Sequence, residues 1–124
     1  MARKKTTISV LSEGWQPKVL ELYKEGASDV EVKALIGELR TDIDSISNDL
    51  WERWMDEEPE FAETIKKGRA LSAAWWERIG RTNLHNKEFS YVGWYMNMKN
   101  RFGWRDKQET ELNLKDIDRE LIIK

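Results

Sequence analysis

The residues of this chain best suited to chemistry on a partner lie between Trp94 and Trp104, which reads Trp-Tyr-Met-Asn-Met-Lys-Asn-Arg-Phe-Gly-Trp. Aromatic rings set among lysine, arginine and asparagine suggest a platform on which single-stranded bases stack, because an exposed ring accepts any base face. Helical spacing argues otherwise. Tyr91, Trp94, Tyr95, Met98 and Phe102 fall on a single stripe, and Asn97, Asn100 and Arg101 point away from it. An apolar stripe of this period is the usual mark of a packed helix, so core packing is the expectation.

A second group, Asp56, Glu57, Glu58 and Glu60, has the residue types of a metal cluster. Its position at a helix start, where negative charge is favoured by the helix dipole, accounts for it without a metal. His85 is the only histidine and falls in a polar loop with no evident orienting partner or nucleophile. There is no Gly-x4-Gly-Lys-Ser/Thr phosphate loop and no nucleophile elbow. The absence of cysteine excludes disulfides and thiolate metal sites. The chain therefore reads as a non-enzyme without a cofactor or a metal.

Net charge is −2 over 124 residues, but it is unevenly distributed. Residues 1–40 carry +1, residues 41–60 carry −7, residues 61–107 carry +6 and residues 108–124 carry −2. Local contact with phosphate is compatible with an acidic total. Seven tryptophans are many for this length, and either the monomer core or a subunit interface must cover them. No apolar run approaches the roughly 20 residues that span a bilayer, and no signal-type segment follows Met1 to Thr7, so a soluble intracellular protein is expected.

The elements that position these residues are helical. Residues 1–14 form a basic arm carrying Arg3, Lys4 and Lys5, mobile as far as Thr7. A first helix over Pro17 to Lys24 turns Trp15, Val19, Leu22 and Tyr23 inward and ends at Gly26. Ser28-Asp-Val-Glu31 is a capping box that opens a second helix, which presents Val32, Leu35 and Ile36 inward and stops at Gly37. Two short helices around a glycine suggest a helix-turn-helix within residues 15–58. The third helix, Ser47 to about Glu57, buries Leu50, Trp51 and Trp54. Asn48, Asp49, Glu52, Arg53 and Asp56 occupy its other faces.

Residues 59–104 read as a long antiparallel helical hairpin. Its first arm runs from Pro59 to Gly80, with an apolar stripe through Phe61, Ile65, Leu71, Trp75, Trp76 and Ile79 and with Lys66, Lys67, Arg69 and Arg78 on the far side. Gly68 and Ala73/Ala74 would admit a close neighbour. The second arm is the Trp94 helix, capped by Ser90 and ended by Gly103. One broad face of such a hairpin is left for a subunit interface. In residues 105–124, Leu112 and Leu114 alternate like an edge strand and Leu121-Ile122-Ile123 is the last apolar group; a β element completed in an oligomer, a partner-binding peptide and disorder all fit.

Glu58-Pro-Glu-Phe61, Gly68-Arg69, Ala74-Trp-Trp76, Gly80-Arg81 and above all Trp94 to Trp104 resemble the small terminase subunits of tailed bacteriophages, over roughly Gly14 to Lys107. The resemblance implies an all-α DNA-packaging protein in the host cytoplasm. Such a protein forms a homo-oligomeric ring of roughly eight to eleven subunits, binds the packaging-initiation site of double-stranded viral DNA, and recruits the large terminase subunit that carries the ATPase and nuclease. It further implies DNA contact by the helix-turn-helix and ring assembly by the hairpin through Lys66, Lys67, Leu71, Trp75, Trp76, Ile79, Trp94, Met98 and Phe102. The motor would be met by the tail residues Leu112, Leu114, Leu121, Ile122 and Ile123.

Two departures from a plain helix-turn-helix bear on DNA. Lys33 stands where a small residue is usual, and Leu39 to Ile46 makes a long connection before an acidic third helix. Phosphate contact through Arg3, Lys4, Lys5, Lys18, Lys33, Arg40 and Arg53, multiplied around a ring, is therefore preferred to base reading in the major groove. The acidic block at 41–60 of one subunit would face the basic block at 61–107 of its neighbour. A helix-turn-helix transcriptional regulator and a structural oligomer without a DNA role are the competing readings.

Overall fold

The computed structural model describes residues 5–104. It is all-helical: a 3-10 turn at Ile8–Val10 is followed by α1 (Trp15–Lys24), α2 (Asp29–Leu39), α3 (Asn48–Glu57), α4 (Pro59–Thr82) and α5 (Tyr91–Phe102). Among the described residues the only β pairing is an isolated antiparallel bridge between Leu11 and Arg40. The chain divides into two compact units, Met1–Arg81 and Thr82–Lys124. The strand expected at Leu112 and Leu114 and the apolar group Leu121 to Ile123 lie outside the described residues, as do Arg3 and Lys4.

In the first unit the local signals act largely as expected. Gly26, at φ 88°, ends the turn after α1, and the Ser28 capping box closes with both of its hydrogen bonds. Ser47 accepts from the Leu50 amide at the start of α3. Only Glu58 separates α3 from α4, whose first residue, Pro59, has no amide hydrogen to leave unsatisfied.

Gly37 behaves differently from the expectation. It lies inside α2, which continues to Leu39, and a Cβ there would fall 3.0 Å from the carbonyl oxygen of Asp44. This glycine permits the long connection before α3 to cross the helix closely; it does not end the helix.

The core gathers Trp15, Val19 and Tyr23 of α1, Val32 and Ile36 of α2, Trp51 and Trp54 of α3, and Phe61 and Ile65 of α4. Phe61 is its centre. The rings of Trp51 and Trp54 meet it edge-on at 5.2 and 5.4 Å and Trp15 lies tilted at 6.0 Å, so three of the seven tryptophans converge on one phenylalanine. Each such pair contributes about 0.5–1.5 kcal/mol beyond the apolar area it buries.

The middle of α4 is fastened to the turn between α1 and α2. Gly68 lies against the Tyr23 ring and Trp75 covers Gly26. Ser72 Oγ donates to the Ala27 carbonyl at 2.9 Å, and Trp76 Nε1 donates to the Gly26 carbonyl at 2.8 Å.

In the second unit, residues 83–90 form turns and Ser90 Oγ accepts from the Gly93 amide to start α5, which ends at Gly103 with φ 70°. Trp94 and Met98 are buried, Tyr95 and Phe102 half-buried. Tyr91, expected on the same buried stripe, is 52% exposed, and α5 also turns Val92 (73%) and Met96 (50%) to solvent. The buried stripe is thus narrower than the sequence pattern, and apolar side chains occupy the opposite face as well.

Candidate nucleic-acid interface

The N-terminal arm is held from Lys5 onward. The carbonyl of Thr6 accepts from Arg53 Nη2 at 2.6 Å and from Trp54 Nε1 at 3.0 Å, and Lys5 Nζ reaches Glu57 at 3.4 Å. Arg53 also pairs with Glu57 at 3.7 Å, four residues on. A backbone carbonyl acts as the acceptor here, and no side-chain pattern signals that. Arg53, expected to contact DNA, is here an anchor of the arm, and Lys5 and Thr6, within the segment expected to be mobile, are held against α3.

Arg40 is likewise turned inward. Its guanidinium grips both oxygens of Asp42 at 2.8 and 2.7 Å and donates to the Ser45 carbonyl at 2.8 Å, with its side chain only 6% exposed. These bonds hold the Asp42 carboxyl down to about 2, well below the usual carboxylate range. The backbone of the same segment pairs with the N-terminal segment, Ser12 N donating to Leu39 O and Thr41 N to Val10 O, both at 2.8 Å. The Arg40 side chain, expected to contact phosphate, thus braces the long connection against itself, and the neighbouring backbone joins that connection to the N-terminal segment.

Lys33 is half-buried between α2 and α3, donating to Asn48 Oδ1 at 2.6 Å with its ammonium 5.2 Å from the centre of the Trp51 ring. Lys18 is exposed on α1, beside a shallow hollow floored by Leu22 and Leu35 and rimmed by Glu21 and Glu25. Of the described cations expected to bind DNA, Lys18 is the one without a hydrogen-bond or ion-pair partner among the described residues. On α3 the exposed residues Asp49, Glu52 and Asp56 form one acidic stripe. Facing a major groove, that stripe would oppose the phosphate field.

Sequence reasoning missed a network that joins three helices. Tyr23 donates to Asp29 Oδ1 at 2.8 Å, and Arg69 reaches Asp29 through Nε at 3.1 Å and Nη2 at 2.9 Å. Burial, then the hydrogen bond to Asp29, pushes the Tyr23 hydroxyl far above its ordinary value. Burial also pushes the Asp29 carboxyl up, but bonds from Arg69 and Tyr23 and the charges of Arg69 and Lys33 outweigh it and leave it below its ordinary value. Asp29 raises Arg69 in return. Asp29 and Arg69 are forty residues apart along the chain, beyond the reach of any local pattern.

Of the residues expected to build an assembly, Lys66 and Lys67 are exposed, and Leu71, Trp75, Trp76 and Ile79 are half-buried. Trp75 and Trp76 meet edge-on at 5.0 Å and cover the α1–α2 turn of their own chain. In the second unit, Trp94, Met98 and Phe102 occupy the inward side of α5. His85 is exposed in a turn. Among the described residues, no group of three or more His, Asp or Glu is placed to hold a metal, and no helix is long and apolar enough to cross a membrane. No family model, curated protein or solved structure matches the chain.

Proposed function

We propose that this chain is a small terminase subunit: a self-associating DNA-packaging protein, built as a helix-turn-helix followed by a helical hairpin, that marks viral DNA for a separate ATPase–nuclease. The observation that carries the assembly half of this reading is α5. Its apolar residues face outward as well as inward, with Tyr91, Val92 and Met96 each at least half exposed. Exposed apolar side chains such as Val92 and Met96, four residues apart on one side of a helix, are suited to cover by another chain.

The DNA half rests on the sequence resemblance and on Lys18, with Arg3 and Lys4 ahead of the anchored Thr6. Few cations per subunit mean weak single-site binding, which repetition around a ring raises through effective concentration. A transcriptional regulator reading bases with α3 is disfavoured by Asp49, Glu52 and Asp56 on that helix.

Sedimentation of the full chain, alone and with a duplex carrying the packaging-initiation region, tests the reading. A closed oligomer larger than a dimer is expected, binding the duplex with a salt-dependent affinity that the Arg3/Lys4/Lys5 triple alanine variant weakens. A dimer bound to paired half-sites would favour the regulator instead. An oligomer without affinity for the duplex would leave a structural role only.

A further inference from the structure

The outward face of α4 is left exposed by the described residues. Glu63, Lys66, Lys67, Ala70, Ala74, Glu77 and Arg81 line it, all exposed, on the side of the helix opposite Phe61, Ile65, Gly68 and Ser72. Lys66 and Lys67 are its charged centre. Neither has an ion-pair or hydrogen-bond partner among the described residues, whereas Lys5, Lys24, Arg40, Arg53 and Arg69 are all paired internally. Ala70 and Ala74 lie one turn and two turns further on, where only a methyl group separates the helix backbone from whatever approaches.

The same unit carries the complementary surface on α3. Asp49 and Asp56 are exposed two turns apart on one stripe and have no cationic partner among the described residues; Glu52 between them feels the charge of Arg69. Beside the stripe, Met55 is half-buried in a hollow shared with Glu52, Arg53 and Asp56, so the surface offers apolar area as well as charge. One molecule thus presents two cations on α4, Lys66 and Lys67, and two carboxylates on α3, Asp49 and Asp56, that have no ion-pair partner among the described residues.

We infer that the α4 face bearing Lys66 and Lys67 docks on the α3 stripe bearing Asp49 and Asp56 of a second copy of this chain. The two faces differ, so the contact is head-to-tail: each copy has one of each to offer, and the arrangement propagates until it closes. Complementary potentials fix the register and suppress the alternative in which two like faces meet. The inference rests on the self-association proposed above and adds to the α5 face a charged pair of surfaces that orients it.

The test is sedimentation velocity on full-length chains. Lys66→Glu/Lys67→Glu and Asp49→Lys/Asp56→Lys should each weaken association by at least about tenfold, because attraction becomes repulsion at two positions. The chain carrying all four changes should recover association, as should a mixture of the two double variants, in which each reversed face finds a reversed mate. All changes are at exposed positions, and unchanged helicity and melting temperature would establish that the variants fold. Wild-type-like association of either folded double variant, or failure of the fourfold variant to recover, would overturn the pairing. Loss of affinity for a random-sequence duplex in Lys66→Glu/Lys67→Glu with association intact would also overturn it and assign this α4 face to phosphate. A monomeric wild-type chain would instead remove the self-association reading on which the pairing depends.

Discussion

Gly68 lies flat against the ring of Tyr23, leaving no space for a Cβ at that point of α4. On helix propensity alone Gly68→Ala would stabilise the helix by about 1 kcal/mol. The clash opposes this, since both partners are buried and Tyr23 is also held through its hydroxyl. Overpacking of a close core contact costs about 1–3 kcal/mol, so a net loss is expected in urea denaturation; a gain would show that Tyr23 moves freely.

Tyr23, Asp29 and Arg69 should give the protein two pH limits. The Asp29 carboxyl is depressed on folding, so its contribution is present above about pH 3.9 and is lost as pH falls through the lower folded value. The Tyr23 hydroxyl is raised, so its contribution is present below about pH 10 and is lost as pH climbs beyond. Asp29→Asn should flatten the acid limb of stability and Tyr23→Phe the alkaline one. Solvent at the Asp29–Arg69 pair limits the loss in Asp29→Asn at neutral pH to about 1 kcal/mol.

Asp42 should titrate near 2, because three of its neighbouring donors favour the carboxylate: the Arg40 guanidinium at two nitrogens and the Ile43 amide. Carbon-13 chemical shifts of its carboxyl group measure this directly. In Arg40→Met the same carbon should titrate closer to the ordinary aspartate value of about 3.9.

The arm should loosen when its anchor is removed. Arg53→Ala combined with Trp54→Phe deletes both donors to the Thr6 carbonyl, leaving the ring volume largely in place. Trypsin cleavage after Lys5 should then accelerate roughly tenfold, as opening of the segment becomes easier, while the global melting temperature falls only modestly.

Much of the framework was legible along the chain because the signals are local. The Ser28 capping box, Ser47 and Ser90 at helix starts, and Gly26 and Gly103 after helix ends each act within a few residues of themselves, through backbone groups that must be satisfied wherever the helix lies. Of the periodic stripe on α4, Phe61 and Ile65 reach the core, while Leu71, Trp75, Trp76 and Ile79 are half-buried.

What local pattern could not decide was which polar groups pair across the fold. Arg40, Arg53 and Lys33 looked identical in kind to Lys18, Lys66 and Lys67, yet the first three are bound to Asp42, Thr6 and Asn48 and the last three face solvent. Gly37 looked like a stop and proved to be a crossing point. A cation's availability depends on which acceptors lie within about 3 Å of it, and that is set by helices packing from distant parts of the chain. Sequence by itself determined the helices, their caps and the uneven charge; tertiary structure decided which of those charges remain for a partner, because pairing is a property of distance in space.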